Sequence, residues 1–367
     1  MVDKVKVGII GCGNISDRYI ETIRSFRILD LVACADLDIE RARAKASSFD
    51  IPHGYSVPEL LADSQIEIVV NLTIPQAHAE VSLAALRAGK HVHTEKPLGI
   101  DIDEGRQILE LAEEKGLRVG CAPDTFLGGG LQTARKLIDD GWIGQPVGAM
   151  AFLLSSGPDN WHPNPTFFYQ QGAGPMMDMG PYYLTALVHL LGPVNQVTGM
   201  TRISYPERVI GSGPKFGEVM PVEVPTYVTG LLNFASGPIG TIITSFDGWH
   251  STLPHIEIYG SQGTLQLADP NFFSGPVRLR RAADETWHDI PLSHSDQVTR
   301  GMGVADLGHA IRDGRPHRAS GALGYHVLDI MLSFEMSMQT GQHISLISQC
   351  DQPAPLPTGL LNGMLDG

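Results

Sequence analysis

The run HVHTEKPLG, residues 91–99, reads as a strand that ends by placing Glu95, Lys96 and Pro97 in succession. A lysine just past a strand end sits where an open α/β sheet presents its ligands. A cis bond to the following proline would turn it away from solvent, where its ammonium can serve a reaction. A second chemical feature lies near the start, in KVKVGIIGCGNIS. Here a short apolar strand over 5–10 feeds a turn in which Gly11 and Gly13 let the backbone approach a pyrophosphate. Asn14 and Ile15 complete that turn, and the helix starting near Ile15 aims its positive end at the same charge. The third glycine position holds Ser16, small enough for close helix–strand packing. A third feature is Asp36, where the strand within LDLVACADLD ends, 23 residues beyond Gly13. A carboxylate at that distance holds the adenosine ribose hydroxyls and repels a 2′-phosphate. The alternative for Asp36 and Asp38 is that both merely cap the helix IERARAKASSF. The expected cofactor is NAD, with NADP left open.

These residues need a sheet to position them. EIVVNLTI is a nearly continuous apolar strand of the kind found in parallel sheets covered on both faces. PQAHAEVSLAALRAGK follows as a helix with proline in its first turn and Gly89 at its end. DIDEGRQILELAEEKG is another helix and LRVGCAPDT another strand. Strands alternating with helices predict a doubly wound parallel sheet, a dinucleotide-binding Rossmann domain over 1–123. Its strand ends carry Gly11, Asp36, Thr73, Lys96 and Ala122, and Asp124 follows on the same edge, where it can line the substrate cleft. From about Thr125 the pattern changes. A helix (GLQTARKLIDDG), a strand (GAMAFLLSS), a loop and the helix MMDMGPYYLTALVHLL precede the extended runs NQVTGMTRI, TYVTGLLNF, GTIITSF, HIEIYG, GTLQLAD and PVRLRR. Such runs, joined by short glycine-containing turns, predict an α+β domain over 124–367 with a mostly antiparallel open sheet. LGYHVLDIMLSFEMSM is a late helix, and the tail from Asp351 reads as irregular.

GIIGCGNIS, AGKHVHTEKPLG and GAGPMMDMGPYY stand in an order and spacing that resemble the Gfo/Idh/MocA dehydrogenases, the glucose–fructose oxidoreductase and inositol dehydrogenase type. The resemblance spans essentially the whole chain. It implies a nicotinamide cofactor and alcohol/ketone chemistry on sugars and polyols, with Glu95 and Lys96 beside the nicotinamide. In that family the helix after the glycine-rich turn presents an Asp and, four residues on, a His. Asp178 matches the first, but the second position holds Tyr182, a departure shared by some branches. Positions i and i+4 lie on one helix face, so both side chains can serve one substrate. A phenol can exchange a proton with an alcohol oxygen, and a nearby ammonium would lower its high ordinary pKa. The resemblance therefore implies that Lys96 and Tyr182 handle the proton while Asp178 positions substrate; which of the two accepts it stays open. His78 matches a family position on the nicotinamide side, with a structural role as its alternative.

In the loop GPDNWHPNPTFFYQQ, Trp161 and His162 have the aromatic character that suits sugar rings, although interdomain packing would use the same residues. Tyr183 reads as a packing residue, His189 as a core-edge histidine, His91 and His93 as packing or surface residues, and the basic segment RPHRASG as a solvated loop or an anion contact. No metal-ligand spacing occurs, and the four cysteines are scattered. The net charge of −14 argues against nucleic acid or anionic membrane as partner. No signal peptide and no apolar run of roughly 18 residues is apparent, so a cytoplasmic enzyme is expected. The open sheet face predicts a homodimer or homotetramer. The leading reading is an NAD-dependent dehydrogenase acting on a secondary alcohol of a sugar, glycoside or cyclitol. The alternatives are an NAD-using glycosidase that oxidises its substrate transiently, and a silent cofactor sensor.

Overall fold

A computed structural model describes residues 3–360 and 363–366, so the expectations for the first two residues and for part of the tail lie outside it. The chain divides into two units, and the division does not follow a single boundary at 123/124. Met1–Gly129, Ser293–Tyr325 and Pro353–Gly367 form the first, and Gly130–Leu292 with His326–Gln352 the second.

The first unit alternates β1 (Val5–Ile10), α1 (Ser16–Ser25), β2 (Leu29–Ala35), α2 (Ile39–Ser48), β3 (His53–Tyr55), α3 (Val57–Ala62), β4 (Ile68–Asn71), α4 (His78–Arg87), β5 (His91–Thr94), α5 (Ile102–Glu114) and β6 (Val119–Cys121). Among the described residues these strands form a six-stranded parallel sheet in the order β3-β2-β1-β4-β5-β6. The order reverses between β1 and β4, which is where such sheets bind ligands. Local chemistry starts the helices. Asp38 accepts from the Glu40 and Arg41 N–H groups to cap α2, Ser56 and Glu59 form a capping box at α3, and Asp101 caps α5.

In the second unit α6 (Gly129–Asp139) leads to β7 (Pro146–Leu154), α7 (Gly174–Leu191), β8 (Val194–Arg202), β9 (Glu207–Val209), β10 (Val219–Pro221), β11 (Tyr227–Phe234), β12 (Ile239–Ser245), β13 (Ile256–Gly260), β14 (Gly263–Leu267), β15 (Val277–Arg281) and β16 (His288–Ile290). After these, α8 (Met302–Asp313) returns to the first unit, and α9 (Gly321–Thr340) and β17 (Ile344–Ser345) complete the elements. The described residues place nine strands in one sheet, ordered β16-β15-β14-β13-β7-β12-β11-β8-β17. Only the β7–β12 pair is parallel, which bears out a mostly antiparallel second sheet. One face is covered by α7 and α9. Gly199 and Gly230 pair across β8 and β11, and a Cβ on either would collide with the buried Phe334 of α9. The opposite face exposes Met150, Met200, Leu231 and Ile239. The short ribbon β9–β10 stands apart, its apolar side packed in a cluster of Tyr169, Ile210, Met220, Val222 and Phe246.

The return of α8 explains the split domain boundary. Asp124 is only 1% exposed, and its Oδ2 accepts the Gly301 and Gly303 N–H groups at 2.8 and 2.9 Å, anchoring the start of α8. At the other end Arg312 bridges to Glu67 and to the Asp3 and Lys4 carbonyls. Arg315 and Arg318 of RPHRASG pair with the buried Asp306 and with Asp366 of the tail. That segment is an internal ion-pair cluster rather than a solvated loop or an anion site. The four cysteines are free thiols.

Candidate active site

At the β1–α1 turn Gly11 has φ +103°, and a Cβ there would lie 2.6 Å from the Leu72 carbonyl oxygen. Only glycine lets β1 and β4 open side by side at this point. Gly13 and Asn14 are exposed and Ile15 half-buried, and no side chain caps α1. Asp36, at the end of β2, accepts the Cys12 N–H at 2.9 Å and that of Asp38 at 3.0 Å, with Arg41 at 3.4 Å. It does not cap α2; Asp38 alone does. A bare turn, an uncapped helix N-terminus and a carboxylate beside them fit a dinucleotide: pyrophosphate at Gly11–Ile15, ribose at Asp36.

The Lys96–Pro97 bond is cis. Glu95, next to it, is held from two sides. The Tyr19 hydroxyl donates to its Oε1 at 2.7 Å and the Lys96 N–H to its Oε2 at 3.0 Å. Burial pushes this carboxyl up, but the charge of Lys96, the Tyr19 hydrogen bond and Arg300 outweigh it and hold it below the usual range. His78 is buried, with ring nitrogens 2.7 Å from the Pro97 carbonyl and 3.0 Å from that of Thr73. Burial also disfavours its charged form. His78 therefore ties the turn after β4 to the Lys96–Pro97 turn as a strut. Thr73 is half-buried, and its hydroxyl donates to Asn71 at 2.7 Å. Asp124 is a further correction. It was expected to touch substrate, but it is buried against α8, and burial raises its pKa to about 6.

In the second unit α7 carries Asp178 and Tyr182 one turn apart on one face. Asp178 is half-buried and Tyr182 is 6% exposed. Tyr183 points into packing as expected, its hydroxyl 2.9 Å from His255 Nδ1, and burial together with Asp269 raises its pKa. His189 is fully buried beside Gln132. Trp161 is 68% exposed, and the His162 ring packs edge-on to Trp161, Phe167 and Phe168. Lys96 belongs to the first unit, while Asp178, Tyr182, Trp161 and His162 belong to the second.

Comparison with known proteins decides the family. A family model described as an oxidoreductase family with an NAD-binding Rossmann fold matches residues 5–122, and one for a GFO/IDH/MocA C-terminal domain matches residues 131–266. The chain belongs to the Gfo/Idh/MocA oxidoreductases. It is thus an NAD-binding oxidoreductase, as the turn and Asp36 predicted. Among curated relatives of this Gfo/Idh/MocA protein is the trans-1,2-dihydrobenzene-1,2-diol dehydrogenase of Bos taurus, 25% identical over 311 residues, covering 83% of this chain and 87% of the relative. Another is the myo-inositol 2-dehydrogenase of Thermotoga maritima, 23% identical over 263 residues, covering 71% and 74%. Levoglucosan dehydrogenase, solved with NADH and levoglucosan, shares the fold at a TM-score of 0.78 with 21% identity, covering 94% of this chain and 99% of that one. No helix of the described residues is long and apolar enough to cross a membrane.

Two groups of side chains escaped the sequence reading. Tyr19 lies on the buried face of α1, and no local signal shows that its hydroxyl reaches Glu95, 76 residues on. Arg208 sits in a three-residue strand and bonds to segments distant in sequence, so nothing nearby marks it either.

Proposed function

We propose that this oxidoreductase transfers a hydride between NAD and a secondary alcohol or ketone of a sugar, glycoside or cyclitol. The observation that carries the proposal is the carboxylate–phenol pair of α7, Asp178 and Tyr182 one turn apart, in a chain whose other unit ends a parallel strand in Glu95-Lys96-Pro97. NAD, when bound, supplies the hydride acceptor. Everything else is done by the chain's own backbone and side chains. Gly11, Gly13, Asn14 and Ile15 hold the pyrophosphate, Asp36 the adenosine ribose, and Thr73 and Glu95 flank the nicotinamide side. Tyr182 and Lys96 exchange the proton of the substrate hydroxyl, and Asp178 orients the neighbouring hydroxyl. Trp161 and His162 offer ring faces to the sugar.

Support for a polyhydroxy substrate comes from the Asp178/Tyr182 pair of α7 and the polar, aromatic 155–173 loop, and from relatives that act on an inositol and a dihydrodiol. The exposed apolar sheet face of the second unit supports a homo-oligomer in which a second copy covers it. The test is steady-state kinetics of Tyr182→Phe and Lys96→Met, with NAD binding measured separately. Each should lower kcat by about 100-fold or more while leaving NAD affinity close to that of the wild type. Near-normal turnover in both would overturn the proposal.

A further inference from the structure

The second unit contains a recess that the proposed reaction does not use. It has a volume of about 190 Å³ and is lined by Ser156, Asp159, Tyr205, Arg208, Asp247 and Trp249, among others. Its floor is an ion-pair network. The Arg208 guanidinium donates to Asp159 Oδ2 at 2.7 Å, to Asp247, and to the carbonyls of Ser156 and Phe246 at 3.0 and 2.8 Å. Tyr169 donates to Asp159, and Thr226 to Asp247 Oδ2 at 2.7 Å. The carboxylates are 8% exposed, the guanidinium side chain 11%, and Arg208 Nε is buried without a partner. The walls are the opposite in character: Trp249 is 76% and Tyr205 58% exposed.

A desolvated network of this kind is a poor source of net stability, because removing the charges from water offsets most of their attraction. What it does achieve is rigidity. Arg208, on the β9–β10 ribbon, fixes the loop after β7 and the segment after β12 in one arrangement, with two carboxylates in the same recess as the Tyr205 and Trp249 rings. Two carboxylates and one guanidinium leave the floor with one net negative charge. That disfavours an acidic ligand. A ligand that donates several hydrogen bonds and offers an apolar face to a ring satisfies both walls and floor. At this volume, below the roughly 300–1,000 Å³ of drug-sized sites, the recess holds a single ring.

We propose that the Tyr205–Arg208–Trp249 recess is a binding subsite for a neutral pyranosyl unit. The inference rests on the proposed sugar chemistry only for the class of ligand; it requires neither NAD nor the residues of proton transfer. The test is an NMR titration of the full chain, without cofactor, using cellobiose, glucuronate and inorganic phosphate as probes. Cellobiose should bind wild type and Tyr182→Phe equally, in the millimolar range, with glucuronate and phosphate weaker. Trp249→Ala should weaken cellobiose binding by about tenfold, whereas Trp249→Phe, which keeps a ring face, should retain it. Trp249 is exposed, so unchanged thermal unfolding is expected of both variants, and Tyr205→Ala provides a second ring deletion. Absence of cellobiose binding by the wild type, wild-type affinity in both Trp249→Ala and Tyr205→Ala, or tighter binding of phosphate or glucuronate would each overturn the inference. Because the titration is independent of turnover, loss of activity in Lys96→Met or Tyr182→Phe leaves its result unchanged.

Discussion

Gly11 and Gly13 look equivalent in a glycine-rich turn, yet their surroundings differ. A Cβ at Gly11 meets the Leu72 carbonyl oxygen, while one at Gly13 meets nothing within 4 Å. Gly11→Ala should therefore cost about 1–3 kcal/mol of stability and most of the Tm increase that NAD gives. Gly13→Ala should fold like the wild type. Thermal unfolding with and without NAD checks both, and equal NAD-induced shifts in the two variants would contradict it. Asp36→Ala removes the acceptor beside the turn. NAD affinity should fall by about tenfold, with less discrimination against NADP; an unchanged NAD/NADP ratio would show that Asp36 does not choose the cofactor. These residues were legible because their motif is local. Asp124 was misread because its partners, Gly301 and Gly303, lie nearly half the chain away, and position at a strand end says nothing about what later packs over it.

β5 brings a second buried group to the edge that carries Lys96. His93 is fully buried, neither ring nitrogen has a hydrogen-bond partner, and burial lowers its pKa from 6.5 to about 4. The folded chain thus favours the neutral ring. Its contribution to stability is fully present above the unfolded value near 6.5 and is lost as pH falls through about 4. Between about pH 7 and pH 4 the wild type should lose roughly 3 kcal/mol more stability than His93→Leu, measured by denaturant unfolding at each pH. Parallel losses in the two proteins would contradict it. Elements of the Rossmann half were readable from alternating apolar runs and helix caps, since parallel strands buried on both faces leave a continuous pattern. The β9–β10 ribbon was not. Strands of three residues amid glycine and proline carry too little periodicity to register.

Across the whole chain, the split of the first unit into three segments was also invisible in the sequence, because an ion pair such as Arg318 with Asp366 leaves no local trace. The open sheet face was foreseeable. Met150 pairs with Thr241, Leu231 with Thr241 and Thr198, and Met200 with Thr229, so these side chains share one surface. Met200→Glu combined with Leu231→Lys should shift the protein to monomer in light-scattering chromatography, and an unchanged mass would show that this face is not the interface. The most direct test of the redox assignment follows absorbance at the reduced-nicotinamide band while the wild-type protein meets a panel of sugars, glycosides and inositols with NAD, with free sugar assayed in parallel. At least one polyhydroxy substrate should yield NADH in proportion to ketone formed. Sugar released without net NADH, or no NADH from any member of the panel, would contradict a dehydrogenase acting on such alcohols.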